Sequence, residues 1–229
     1  VLSKKAAVGA SDVLIDMPVG RTAKVRSRDA ADLLQARLAG VAEAIGLKLV
    51  VHQSDGAGPV GRGIGPALEA RDVLAVLRRD ASAPADLRDR ALDLAGILLD
   101  MARGGIAGTG RERAKTLLYN GAAEAKFMAI CEKQGGYREP RVASHSAPVL
   151  AAQGGRITAI DNRLIARIAK LAGAPRQQGA GVFLLAAIGE IVSADDPLFE
   201  IHAETPGELS YARDYSDSQS QAFTVEEPL

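Results

Sequence analysis

Between residues 12 and 78 the apolar side chains change period in a fixed order, and that order restricts the fold more than any other feature of the chain. Asp12-Val13-Leu14-Ile15-Asp16 is a short apolar run bounded by polar residues, the pattern of a strand covered on both faces. Ser27 is placed to cap a helix in which Ala31, Leu34, Leu38, Val41, Ala42 and Ile45 share a face at the 3.6-residue period. Gly46 ends it. Leu47 to Val51 reads as a second strand, followed by a glycine-rich loop from Ser54 to Gly65. Pro66 then opens a helix carrying Ala70, Val73, Leu74 and Leu77 on one side. Strand, helix, strand, loop and helix in sequence describe an α/β fold, with a mostly parallel sheet flanked by helices.

Three further helical stretches are expected: Leu87 to Met101 closed by Gly104-Gly105, Glu112 to Tyr119 followed by Asn120-Gly121, and Ala122 to Gln134 ending at Gly135-Gly136. After Pro140 the texture changes to shorter strands and turn dipeptides such as Gly154-Gly155 and Asp195-Asp196-Pro197. This second part contains one clear helix, Asn162 to Leu171, with strands at Val182 to Ala187, Ile191-Val192 and Leu198 to His202. It reads as a small α+β carboxy-terminal domain, residues 141–229, after an α/β domain over 9–140. The polar tail from Ser216 to Gln221 reads as a solvated helix end or a partly disordered segment, and no fixed-period repeat is present.

Composition narrows the function. At 229 residues and 47% hydrophobic, the chain has material for a core and is too apolar for disorder. Lys plus Arg and Asp plus Glu both total 28, and aromatics are 3% with no Trp. Neither the basic excess nor the stacking platforms that nucleic acid requires are present. No apolar run approaches the roughly 18–20 residues of a membrane span, and no leader opens the chain. A soluble, cytoplasmic protein is expected. Cys131 is the single cysteine, so an internal disulfide is ruled out, and its ordinary role is that of a small buried hydrophobe. The chain opens on Val1 within what looks like the middle of an element, so it reads as a fragment.

The loop Ser54-Asp55-Gly56-Ala57-Gly58-Pro59-Val60-Gly61-Arg62-Gly63-Ile64-Gly65 lets backbone N–H or C=O groups approach a ligand. Its spacing matches neither a Walker A loop nor the dinucleotide fingerprint, and a purely structural turn remains an equal reading. Lys4 and Lys5 beside Ser3 are able to hold an anion or a leaving group's charge, although adjacent lysines are ordinarily solvated. His52, His145 and His202 have no metal-ligand spacing. Asp12, Asp16, Glu69 and Asp72 offer carboxylates that capping and salt bridging also explain. The absence of Gly-x-Ser-x-Gly removes support for a serine hydrolase.

Several segments in joint order carry a resemblance. These are Leu2-Ser3-Lys4-Lys5-Ala6-Ala7 with Gly9, Asp12 to Asp16 with Val19-Gly20, and Pro59-Val60-Gly61-Arg62-Gly63-Ile64-Gly65-Pro66-Ala67-Leu68-Glu69. Gly154 to Ile157, Leu171-Ala172-Gly173-Ala174, Gly181-Val182 and Asp196-Pro197-Leu198-Phe199 follow. Over nearly its whole length the chain resembles the thymidine phosphorylase and pyrimidine-nucleoside phosphorylase family. It departs at Pro18 and Thr22, where the common pattern has lysine and glycine, and there looks like the branch related to the nucleotide phosphorylases.

The resemblance implies phosphorolysis by a full-length homodimer that uses a pyrimidine nucleoside and phosphate and requires no cofactor. Phosphate attacks C1 of the sugar, the base departs, and Lys4 stabilises the negative charge growing on it. It implies that residues 1–8 are the end of a helical domain and that the phosphate site lies before Val1, so that the fragment alone has no turnover. A bound K⁺ or Ca²⁺ is implied at the carbonyls of Val60 and Gly63 and the carboxylate of Asp72, which stands where a glutamate is usual. Phosphorolysis of nucleoside monophosphates and a non-catalytic binding or scaffold role are the alternatives.

Overall fold

The computed structural model describes residues 1–102, 108–218 and 222–226. They form two compact units, Val1–Ala57 with Arg88–Ala122 and Gly58–Leu87 with Ala123–Leu229.

In the first unit a short helix α1 (Leu2–Ala7) precedes strand β1 (Asp12–Val19), helix α2 (Arg28–Ala44) and strand β2 (Lys48–Asp55). The two strands pair in parallel, in register from Asp12 opposite Lys48 to Val19 opposite Asp55. The Ser27 Oγ accepts the Ala30 N–H at 3.2 Å and so caps α2 as expected. Gly46, at φ +68, ends that helix. The buried face of α2 is narrower than its sequence suggests. Ala31 and Ala42 are buried and Leu38 packs on the core of Leu2, Val13, Ala42 and Leu47. Leu34, Val41 and Ile45 stay 38%, 52% and 49% exposed, because among the described residues of this unit α2 has two strands to cover.

Helices α4 (Ala85–Ala102), α5 (Gly110–Tyr119) and α6 (Ala122–Lys133) match the three expected helical stretches; the expected stop at Gly104-Gly105 lies outside the described residues. The Asp100 carboxylate accepts the N–H groups of Gly108 and Gly110, at 3.1 and 2.9 Å, and thereby satisfies the amino end of α5.

The second unit holds two antiparallel sheets. One runs β3 (Gly63–Ile64), β6 (Gly181–Leu184), β8 (Pro197–Ala203), β4 (His145–Leu150); the other runs β7 (Ile191–Val192), β5 (Gly155–Ile160), β9 (Phe223–Glu226). Pro148 is tolerated in β4 because that strand is at the sheet's edge. Helix α7 (Asn162–Leu171) is capped by Asp161 Oδ1, which accepts the N–H groups of Arg163 and Leu164 at 2.8 and 3.0 Å. It buries Ile165, Ile168 and Ala169 among Ile157, Val182, Phe199 and Ile201. Helix α8 (Pro206–Ser218) is held by reciprocal bonds between Thr205 and Glu208. Helix α3 (Pro66–Arg78) has Pro66 in its first turn and packs on β3 and β6.

The expected mostly parallel sheet is therefore corrected. Among the described residues β1 with β2 is the one parallel ladder, and every other strand pairing is antiparallel. The βαβ pattern is real, but the helices after it do not lead to further parallel strands. The next extended segment, β3, is two residues long and crosses into an antiparallel sheet. Cys131 is free and half-buried. No helix among the described residues is long and apolar enough to cross a membrane.

Candidate functional site

Ligands of parallel α/β units gather at the carboxyl ends of the strands, beside the amino end of the following helix. In the first unit that place is unusually well fastened. The Ser54 Oγ donates to Asp16 Oδ1 at 2.6 Å, and Arg90 of α4 donates through Nη1 to Ser54 Oγ at 2.9 Å and to Asp16 Oδ2 at 3.4 Å. Arg90 Nη2 also reaches the carbonyl of Asp55 at 2.5 Å. One guanidinium thus ties the ends of β1 and β2. Next to it Gly20 lies against Gly56 so closely that a Cβ on Gly20 would stand 2.2 Å from the Gly56 oxygen, which only glycine allows.

The segment that follows carries Arg21, Lys24, Arg26 and Arg28, all exposed and running into the amino end of α2. None of their side chains has a hydrogen bond or ion pair among the described residues. Neither this cluster nor Arg90 is among the residues that the sequence motifs single out. The cluster's signal was the density of four cations in eight residues between a strand and a capped helix; the role of Arg90 depends on tertiary contacts that no local pattern shows.

Lys4 lies exposed on α1, whose Leu2 anchors the helix against Val13, Ala42 and Leu47. No hydrogen bond or ion pair holds its ammonium among the described residues. Asp12 pairs with Lys48 at 3.7 Å on the surface, a contact worth at most about 1 kcal/mol. Glu69 Oε1 accepts the Gly65 N–H at 3.2 Å and serves the start of α3.

In the second unit the glycine loop closes on carboxylates. Asp72 is buried, and its Oδ2 accepts the N–H groups of Arg62 and Gly63 at 2.6 and 2.7 Å. Gly61 donates to Asp86 Oδ2 at 2.9 Å. Gly63 and Asp72 are thus brought together, and Val60 lies in the same loop.

A cleft of about 530 Å³ beside α3 is lined by Arg62, Arg71, Arg78, Glu139, Glu200 and His202 among others. Its three guanidinium groups face four carboxylates, those of Asp72, Asp80, Glu139 and Glu200, so it offers no net positive field for phosphate. His202 Nε2 lies 3.3 Å from Glu200 Oε2. Burial pushes the imidazole below its usual range, and the nearby Arg71 pushes the same way, against the Glu200 carboxylate. A folded-state value below the unfolded one means that the unfolded chain binds the proton first. Stability is therefore full above about pH 6.5 and falls as the pH drops through the folded value. Thermal melts across pH 5 to 8 should show His202→Gln losing less stability on acidification than the unaltered protein. Identical pH profiles would assign the acid sensitivity to other groups.

Comparison with known proteins identifies the class. Residues 156–220, from β5 through α8, match the family described as Pyrimidine nucleoside phosphorylase C-terminal domain. The chain is 55% identical over 227 residues to a protein of Acidovorax sp. (strain JS42) named "Putative thymidine phosphorylase 1", across 99% of this chain and 44% of that protein. A similarly named protein of Polaromonas sp. (strain JS666 / ATCC BAA-500) is 56% identical over 225 residues, 98% of this chain and 44% of its own length. Another, from Hahella chejuensis (strain KCTC 2396), is 51% identical across 99% of this chain and 45% of its own. Residues 156–220 thus belong to the pyrimidine nucleoside phosphorylase C-terminal domain family, and nearly the whole chain is similar to these proteins. It spans less than half the length of these relatives.

Proposed function

We propose that the full-length protein, as a cytoplasmic homodimer, catalyses the phosphorolysis of pyrimidine nucleosides, converting thymidine and phosphate to thymine and 2-deoxyribose 1-phosphate. The observation that carries this reading is the match across 99% of this chain to the relative named "Putative thymidine phosphorylase 1". Phosphate oxygen forms the bond to C1 as the bond from C1 to the base nitrogen breaks, and the electron pair leaves with the base. An ammonium at that nitrogen's ring lowers the barrier by meeting charge that grows only in the transition state. Lys4 supplies it. The exposed side chain supports this role, since no carboxylate among the described residues competes for it.

The test is base release from thymidine by the full-length protein, with and without inorganic phosphate. Release that depends on phosphate, with deoxyribose 1-phosphate as product, is expected; equal release in its absence would refute phosphorolysis.

A second reading, phosphorolysis of nucleoside monophosphates, is favoured by Arg21, Lys24, Arg26 and Arg28. Four exposed cations at the carboxyl end of a parallel strand pair, without side-chain partners among the described residues, suit a phosphomonoester. Comparing kcat/KM for thymidine with those for AMP, CMP and UMP separates the two readings, because a nucleotide preference would displace the nucleoside.

A further inference from the structure

The family resemblance brings with it a cation on the carbonyls of Val60 and Gly63 and the carboxylate of residue 72. A Ca²⁺ ion gathers about six to eight oxygens, and K⁺ likewise needs oxygen atoms turned inward. The loop presents its other pole. Gly61 has a left-handed φ of +77, and the N–H groups of the next two residues, Arg62 and Gly63, converge on Asp72 Oδ2 at 2.6 and 2.7 Å. Successive backbone donors around such a turn form a concavity that attracts an anion.

The surrounding peptides agree with this polarity. A trans peptide directs its carbonyl opposite to its N–H. With Gly61 N–H held on Asp86, the Val60 carbonyl therefore faces away from that carboxylate. The Arg62 carbonyl is turned outward likewise and accepts the N–H of Leu184 at 2.8 Å. Gly65 N–H goes to a third carboxylate, Glu69. Among the described residues no group of three or more His, Cys, Asp or Glu side chains is placed to hold a metal ion.

We infer that Asp72 is the resident anion of this loop: its carboxylate fills a cradle of backbone N–H groups, and the protein takes no K⁺ or Ca²⁺ at Val60, Gly63 and Asp72. Asp72 is only 7% exposed, so its charge is met by these donors rather than by water. The side chain is one methylene shorter than glutamate and reaches the loop backbone directly. This role is independent of which substrate the protein takes.

The test strips the protein with a chelator, exchanges it into tetramethylammonium chloride, and titrates KCl or CaCl₂ at constant ionic strength. Tm should hold within about 1 °C, and the Arg62 and Gly63 amides should exchange slowly in every salt. A saturable rise in Tm of about 4 °C or more with either cation would overturn the inference. Asp72→Asn keeps the shape and one acceptor oxygen but removes the charge. It should speed exchange of those two amides by about tenfold or more, the scale that separates charged from neutral acceptors. Unchanged exchange in a folded Asp72→Asn protein would also overturn it, and if that variant does not fold, the cation titration of the unaltered protein decides.

Discussion

Replacing Lys4 with Ala in the full-length protein is expected to lower kcat/KM for its nucleoside about 10²–10³-fold, the usual cost of removing one preorganised partner of transition-state charge, while leaving Tm within about 1 °C. Both halves of that expectation come from the surroundings of the residue. Lys4 is exposed on a helix whose single buried anchor is Leu2, and Ala is the strongest helix former. No bond among the described residues is lost with the ammonium, so folding has little reason to change. If Lys4 meets charge on the departing base, its removal acts on the transition state, and kcat falls more than KM rises. A decrease of less than about threefold would remove Lys4 from the chemistry. A large loss of Tm would instead make its role structural.

The largest effect on stability is expected at Phe199. Its side chain is 1% exposed on β8, which lies between β6 and β4, and its ring stacks on that of Phe223 with centroids 5.6 Å apart and planes 13° from parallel. Phe199→Ala removes that ring from a close-packed core and should cost about 3–5 kcal/mol. For a chain of this size that lowers Tm by about 6–20 °C. Phe199→Leu keeps most of the volume and should cost less than half as much. Chemical denaturation of the two variants checks the ratio. Equal, small losses would mean that the core closes around the missing ring and that the stacking on Phe223 contributes little.

The elements read well from sequence are those whose signals are local and redundant. Helix α7 has its predicted bounds because a strong apolar face at Ile165 and Ile168 coincides with clear ends. Ser27 and Gly46 mark α2 by capping chemistry that operates within a few residues. Strand β4 is hidden in the sequence because Pro148 argues against a strand unless its edge position is known. Helix α8 and strand β9 are hidden because a polar segment, with little apolar periodicity, contains elements that tertiary packing holds. The sheet's direction is not legible in the sequence, because parallel and antiparallel strands differ in their distant partners, here β3 with β6, and not in their own residues.

The site divides in the same way. The assignment of Lys4 rests on resemblance alone, since an isolated Lys-Lys pair has no distinctive chemistry. The glycine loop announced a close backbone approach, but not that its partners would be Asp72, Asp86 and Glu69. The tie from Arg90 to Asp16 and Ser54 spans 74 and 36 residues and has no local trace.

The pairing of Ile64 with Val182 sets an order of events during synthesis. Helix α3 is complete by residue 78, yet β6, the strand that receives β3, emerges more than a hundred residues later. Until then Leu68 and Leu74 of the finished helix have no sheet to cover. The nascent chain therefore carries an unmated apolar surface while more than a hundred residues are added, the interval in which a holding chaperone would find its target.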